Sequence, residues 1–283
     1  MPTQWLQEPA ILFSPRGKKF TVNLHRHQKG FPFDDPWGIG ARRAWARVKT
    51  RGLTVAYLGV GAGAEVVQAL LNGQSPARML LNDIVEENLE VCRANVSDAL
   101  ARRQDYPDTL FDLRPAEQAL SESGKLFHLI TGCLPQVPDF GRPNMEQIAH
   151  VYPVGDYPQM SEWGLGLLHA VLTAARNCLT EDGKISLIIS GRIPWEATER
   201  LFLANGFRYP EIAYQFMVRH HLGTPLDYLE DHQGVSLFAD LGGSVTISPT
   251  EAETERLRVV EEGADPEELY VFHWVYLVEA SPV

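Results

Sequence analysis

Apolar positions along this chain change their spacing several times, and each change marks an element. Residues 54–58 (Thr-Val-Ala-Tyr-Leu) form a short continuous apolar run rich in β-favouring side chains, the pattern of a parallel strand covered on both faces. A glycine loop, 59–63, follows, and 65–71 then takes helical spacing until Asn72-Gly73 stops it. The same reading predicts a strand at 77–82 and a helix at 85–96 with Leu89, Val91, Cys92 and Val96 inward. A third apolar strand at 127–131 runs into a proline-rich loop, 132–143. Ser161 suits the N-cap of a helix reaching 179, in which Leu165, Leu168, Val171, Leu172 and Ala175 share one face. A Glu-Asp-Gly turn at 181–183, a strand at 185–189 and a helix at 195–205 closed by Gly206 come next. The last strands are 212–218 and 270–278, with an acidic, loop-rich insertion at about 219–269 between them.

Strands alternating with helices predict a doubly wound α/β fold, a mostly parallel Rossmann-like sheet with helices on both faces. The closing pair, lacking a clear helix between its members, is expected to add antiparallel strands at one edge. Residues 1–36 mix short apolar runs with Pro, Gly and His, and 38–49 reads as a helix entering the first strand. Residues 1–50 are therefore expected to form a cap or lid, and 51–283 one domain.

Composition narrows the function classes. The 283 residues are 45% apolar, enough for one full core. No run of about 18 uncharged apolar residues is present, and residues 1–8 lack a basic start followed by an apolar stretch, so the cytoplasm is the expected compartment and no membrane a partner. A formal charge of −11 disfavours nucleic acid, whose enzymes need a basic face. The short basic cluster of Arg42, Arg43, Arg47, Lys49 and Arg51 reads as a solvated helix face. Cys92, Cys133 and Cys178 are far apart and odd in number, which points to free thiols. His25, His27, His220 and His221 have no spacing that demands a metal, and none is expected. A small or zwitterionic substrate fits this balance; a homodimer is an open option.

Gly59, Gly61 and Gly63 end the first predicted strand, where they permit a sharp turn and close approach of a ligand to backbone amides. The alternative is a purely structural turn. Asp83 ends the next strand, at the distance where an acid can accept hydrogen bonds from ribose hydroxyls. Its alternative role is to cap the following helix. Spacing alone does not choose between a dinucleotide and S-adenosylmethionine.

The GxGxG form resembles the first motif of class I methyltransferases more than the GxGxxG of dehydrogenases, which implies S-adenosyl-L-methionine as cofactor. Asp112 lies where those enzymes often place an acid near the adenine amino group; a surface acid is the other reading. Amino-methylating members end the fourth strand in Asn-Pro-Pro-Tyr/Phe, but here the loop is Gly132-Cys133-Leu134-Pro135-Gln136, and Cys133 cannot supply the amide acceptor. That departure resembles the methyltransferase domain of methionine S-methyltransferases, whose loop reads like Gly-Cys-Ile-Pro-Gln. Leu24-His25-Arg26-His27, Glu162-Trp163-Gly164-Leu165-Gly166-Leu167 and Gly191-Arg192-Ile193-Pro194 also resemble stretches of that family. The likeness runs from about Gln7 to the end; the plant proteins continue into an aminotransferase-like domain without counterpart in this sequence.

The resemblance implies methyl transfer to the thioether of free methionine, giving S-methylmethionine and S-adenosylhomocysteine. A thioether has no proton to lose, so alignment and exclusion of water matter more than a base. Arg192 is the candidate clamp for the substrate carboxylate, or else a surface arginine. Gln136 either contacts substrate or braces its loop. Trp163 and Tyr157 either wall the sulfonium pocket or belong to the core. Arg26 and His27 are placed as a lid, with Cys133 beside the substrate. Rival readings are a methyltransferase acting on another small amino acid or a peptide nitrogen, and a cofactor-binding protein without turnover.

Overall fold

The computed structural model describes residues 5–28, 32–104, 106–136, 163–223, 225–230 and 234–283. The apolar run after residue 53 is strand β3 (Thr54–Leu58), entered through an N-terminal hairpin, β1 (Trp5–Phe13) and β2 (Lys19–His27), and helix α1 (Pro36–Trp45). Then come α2 (Ala64–Leu71), β4 (Arg78–Asn82), α3 (Glu86–Arg103), β5 (Asp108–Asp112), α4 (Ala116–Ser121) and β6 (Phe127–Gly132). The chain continues through α5 (Gly166–Cys178), β7 (Leu179–Ser190), α6 (Trp195–Ala204) and β8 (Glu211–Arg219). Short strands β9 (Leu237–Phe238) and β10 (Thr246–Ile247), helix α7 (Pro249–Glu262) and strand β11 (Phe272–Ala280) complete it.

Pairing runs β5–β4–β3–β6–β7–β11–β8. The first five strands are parallel, and β11 is antiparallel to β7, β8 and β9. This is a doubly wound, mostly parallel Rossmann-like sheet with antiparallel strands toward one edge. The order reverses at β3: β4 and β5 lie to one side, β6 and β7 to the other. Such a reversal opens a crevice beyond the carboxyl ends of the two strands beside it, here β3 and β6.

Side-chain alternation in the strands feeds two apolar layers. Ala56, Leu58, Ile130, Ile185, Leu187 and Ile189 pack with Leu120, Leu168, Val171, Leu172, Leu201 and Phe202 of α4, α5 and α6. Val55, Tyr57, Met79, Leu81, Leu129 and Ile188 pack with Ala41, Val66, Val67, Leu70, Leu89 and Val96 of α1, α2 and α3. A smaller core of Leu226, Leu229, Leu237, Ala252, Val259, Leu269 and Val271 fills the 219–269 region.

Several expectations change. The closing strands do have a helix between them, α7, fixed by a capping box of Ser248 and Glu251 and ended by Gly263 at φ +60°. Residues 181–183 do not turn; β7 runs through them with a register shift against β6. Helix α3 extends seven residues past 96 to Arg103, where polar residues blur the apolar stripe. Residues 5–27 form a hairpin, and 108–112 form an edge strand that the apolar pattern does not announce. Ser161 falls outside the described residues. Arg42 is not solvated: it is 3% exposed and donates to the carbonyls of Ile11 at 2.8 Å and Phe33 at 2.5 Å. Arg47 lies over the Tyr214 ring, 4.1 Å from its centre. Cys92, Cys133 and Cys178 are free thiols, and among the described residues no helix is long and apolar enough to cross a membrane.

Helix α1 seats on β8 through Gly40, where a Cβ would stand 2.0 Å from a carbon of the Phe216 ring. Alanine is the better helix former by about 1 kcal/mol, but an extra methyl in a packed core costs about 1–3 kcal/mol. Gly40→Ala is therefore expected to lower stability by about 1–2 kcal/mol, read as a lower urea midpoint at unchanged slope. A midpoint equal to or above wild type would mean that α1 does not rest on Phe216.

Candidate functional site at the reversal of the sheet

The loop leaving β3 is built from three left-handed glycines: Gly59 at φ +63°, Gly61 at +50° and Gly63 at +76°. Gly63 also tolerates no side chain, since a Cβ would lie 2.6 Å from Cys92 Sγ on α3. A Cβ on Gly61 would meet nothing within 4 Å, so the crest of the loop is open. Asp83 anchors the loop: Oδ2 accepts from the Gly61 N–H at 2.8 Å and Oδ1 from the Val85 N–H at 2.9 Å. The carboxylate thus joins the glycine loop to the start of α3.

Asp112, at the end of β5, is gripped by Arg114, whose Nε and Nη2 donate at 2.9 and 2.5 Å. That guanidinium holds its carboxyl below the usual carboxylate range. Gln136 braces its loop: Nε2 donates to the Ile188 carbonyl at 2.7 Å and Oε1 accepts from the Ser190 N–H at 2.8 Å. The loop after β6 therefore hangs from the end of β7 by one side-chain amide. It also lies on the glycine loop, because a Cβ on Gly59 would stand 3.1 Å from Leu134 Cδ2.

Cys133 accepts a hydrogen bond from Trp37 Nε1 at 3.0 Å. Burial pushes its thiol up to about 12, so it stays a neutral SH at physiological pH and is no thiolate nucleophile. Arg192 follows β7 and is 9% exposed; its Nε donates to Ser190 Oγ at 3.0 Å. No carboxylate partners its guanidinium among the described residues. Gly191 donates to the Trp274 carbonyl at 2.7 Å, which sets Arg192 beside β11. There His273, 3% exposed, is held well below the usual imidazole range by burial and then by the Arg192 charge. Its Nδ1 lies 3.0 Å from the Trp274 carbonyl, and a carbonyl can only accept, so Nδ1 carries the proton and Nε2 the lone pair. The His273 ring packs against Trp37 at 5.7 Å and His220 at 5.9 Å.

The other predicted residues lie further out. Trp163 packs between the main core and the small core of the 219–269 region. Arg26 pairs with Glu8 through two 2.7 Å bonds, and His27 ends β2 opposite Trp5. The hairpin still reaches the site: Asn95 of α3 bonds the backbone of His25 in both directions and donates to the carbonyl of Ala62 in the glycine loop. Tyr157 falls outside the described residues. Sequence reasoning passed over Trp37, Glu65, Ser190 and His273. Only His273 carried a signal, an ionisable side chain inside a mostly apolar strand.

No family model matches the chain, and no curated protein matches it. Among solved structures it is similar to a precorrin-6y C5,15-methyltransferase from Geobacter metallireducens, at 11% identity and TM-score 0.47 over 92% of this chain and 94% of that one. It is similar also to the N-methyltransferase NodS from Bradyrhizobium japonicum, in complex with S-adenosyl-L-homocysteine, at 9% identity and TM-score 0.44 over 87% and 88%. A ribosomal protein L11 methylase from Lactobacillus delbrueckii gives 19% and 0.40 over 63% and 69%. At these values the likenesses carry no argument about the activity of this chain.

The brace makes a direct prediction. In Gln136→Glu an acceptor oxygen replaces the donor that faces the Ile188 carbonyl, while the acceptor toward Ser190 remains. The variant is expected to lose about 1–3 kcal/mol of stability, the scale of a buried group left unsatisfied. Chemical denaturation reads it; wild-type stability would mean that the amide does not hold the loop.

Proposed function

We propose that the chain is an S-adenosylmethionine-dependent methyltransferase whose acceptor is the thioether sulfur of free methionine. The observation that supports this most is Arg192: a buried guanidinium at the ligand-binding edge of the sheet, without a carboxylate partner among the described residues. A buried charge is costly unless paired, and a substrate carboxylate supplies the pair in a forked geometry. The residues at the glycine loop fit a nucleoside-bearing cofactor, since the crest at Gly61 is open and Asp83 stands at the end of the adjacent strand.

The bound cofactor supplies an electrophilic methyl group on a sulfonium. The chain's own part is placement. Asp83 and the glycines hold the nucleoside end, Arg192 grips the acceptor carboxylate, and Gln136 keeps the intervening loop against β7. Cys133 and Trp37 present a weakly polar wall where an amide-methylating enzyme needs a strong acceptor. A sulfur nucleophile asks for no such acceptor and releases no proton. On this reading the cofactor's methyl would pass to the methionine sulfur, giving S-adenosylhomocysteine and S-methylmethionine.

Mass spectrometry of wild type with cofactor and a panel of free amino acids tests the reading. A sulfonium product from methionine is expected; an N-methylated product, or none from any amino acid, would overturn it. Asp83→Ala is expected to weaken S-adenosylhomocysteine binding by about 1.5–3 kcal/mol in calorimetry, the scale for hydrogen bonds to a charged group. With fold intact and chemistry limiting, kcat at saturating methionine should stay level from about pH 6 to 9, the range where a tuned general base would titrate. A steep acid limb there would point to an ionising base and an amine acceptor.

A further inference from the structure

The carboxyl edge beyond β7 holds a second polar group that a grip on the acceptor carboxylate leaves unused. Ser190 and Val275 are the pair that closes the β7–β11 ladder, and Arg192 stands two positions past the one, His273 two positions before the other. The Gly191 N–H bonds the Trp274 carbonyl at 2.7 Å, which carries the pairing one step further and sets residues 192 and 273 abreast. After burial, the Arg192 charge is the largest influence on the imidazole. The cluster is enclosed: His273 is 3% exposed, Arg192 9% and Ser190 1%.

Nδ1 of His273 is turned back onto its own strand, 3.0 Å from the Trp274 carbonyl, and carries the proton. Nε2, at the far end of the ring, keeps its lone pair, and no donor among the described residues meets it. Trp37 and His220 flank the ring, with centroids 5.7 and 5.9 Å away. Trp37 in turn donates to Cys133, so the ring lies between the loop after β6 and the end of β8. Burial and the adjacent guanidinium both oppose protonation, which keeps the lone pair available at neutral pH.

A buried lone pair calls for a donor. Here the donor sits beside the Arg192 charge, and a water would bring nothing to balance that guanidinium. An α-amino acid brings both groups at a fixed spacing: a carboxylate for the fork of Arg192 and, on the adjoining carbon, an ammonium with three N–H donors. A neutral imidazole accepts from that ammonium without the repulsion a protonated ring would exert.

We propose that His273 Nε2 accepts a hydrogen bond from the α-ammonium of the substrate while Arg192 holds its carboxylate. His273 is then the residue that selects an α-amino acid over the corresponding plain carboxylic acid. This role depends on the acceptor being a free amino acid, as proposed above. The contact takes no proton from the substrate, in keeping with a kcat that stays level with pH.

Calorimetry on protein saturated with S-adenosylhomocysteine compares methionine with 4-(methylthio)butanoate, which lacks only the amino group. Wild type should favour methionine by at least about tenfold, the scale of one hydrogen bond to a charged group. His273→Phe should lower methionine affinity to that of the desamino acid and leave the desamino acid unchanged. His273→Gln, which can return an amide oxygen to the place of Nε2, should recover part of the preference. Nitrogen NMR of wild type labelled at histidine needs no substitution and stands even if a variant fails to fold by circular dichroism. There the Nε2 resonance of His273 should move toward its hydrogen-bonded position with methionine and not with the desamino acid. Other free amino acids, each paired with its desamino acid, separate this contact from the choice of methionine. A preference that depends on His273 but appears only with a different amino acid would keep the contact and overturn the methionine acceptor. Sulfonium formation from methionine, with the amino-group preference equal in wild type and His273→Phe, would keep that acceptor and overturn the contact. An Nε2 resonance unmoved by any bound amino acid, or failure of every amino acid to bind, would overturn it as well.

Discussion

The α-carbon of Gly63 pressed against the sulfur of Cys92 sets the spacing on which the rest of the site depends. Any side chain at 63 would need both a left-handed backbone and space that Cys92 already fills. The glycine loop and α3 touch here, and Asp83 reaches across to the Gly61 amide. One turn further along α3 from Cys92, Asn95 comes within reach of the Ala62 carbonyl and of His25 in the hairpin. A single close contact thus propagates from loop to helix to cap.

The hairpin is held by side chains acting where strands would otherwise pair. Among the described residues it joins no other sheet. Gln68 of α2 accepts from the Phe13 N–H and donates to the Arg42 carbonyl, while Asn72 donates to the Phe13 carbonyl. Arg42 itself closes on Ile11 and Phe33. Backbone groups buried without partners are costly, so each amide or guanidinium spent here replaces a missing ladder bond. This explains why a charged residue is nearly fully enclosed.

The opposite wall of the crevice follows a similar logic with the opposite outcome. Gln136 satisfies both of its ends on β7, and Gly191 ties that strand to β11, so the backbone around Arg192 is fixed. The guanidinium of Arg192 remains without a carboxylate partner among the described residues, whereas Glu65 has the Arg42 charge nearby. Both stand near the carboxyl edge of the sheet, on strands or helices flanking the point of reversal.

Period and punctuation in the chain determined the parallel strands 54–58, 77–82, 127–131 and 185–189, the helices after them, and the glycine loop with Asp83. Each is a local signal: a continuous apolar run needs cover on both faces, and glycines at strand ends need positive φ. The hairpin, the edge strand 108–112 and helix α7 were less legible, because half-exposed elements carry mixed patterns and are stabilised by what they touch. The capping box at Ser248 and Glu251 was present in the sequence but overshadowed by acidic, loop-like surroundings. Tertiary structure alone decided that Arg42 is buried, that Gln136 is a brace, and that Trp45, Tyr57, Glu65 and Thr131 share one cavity. Those outcomes depend on which side chains meet across elements 8 to 86 positions apart in the chain, and hydrogen-bond satisfaction at such distances leaves no periodic trace in the sequence.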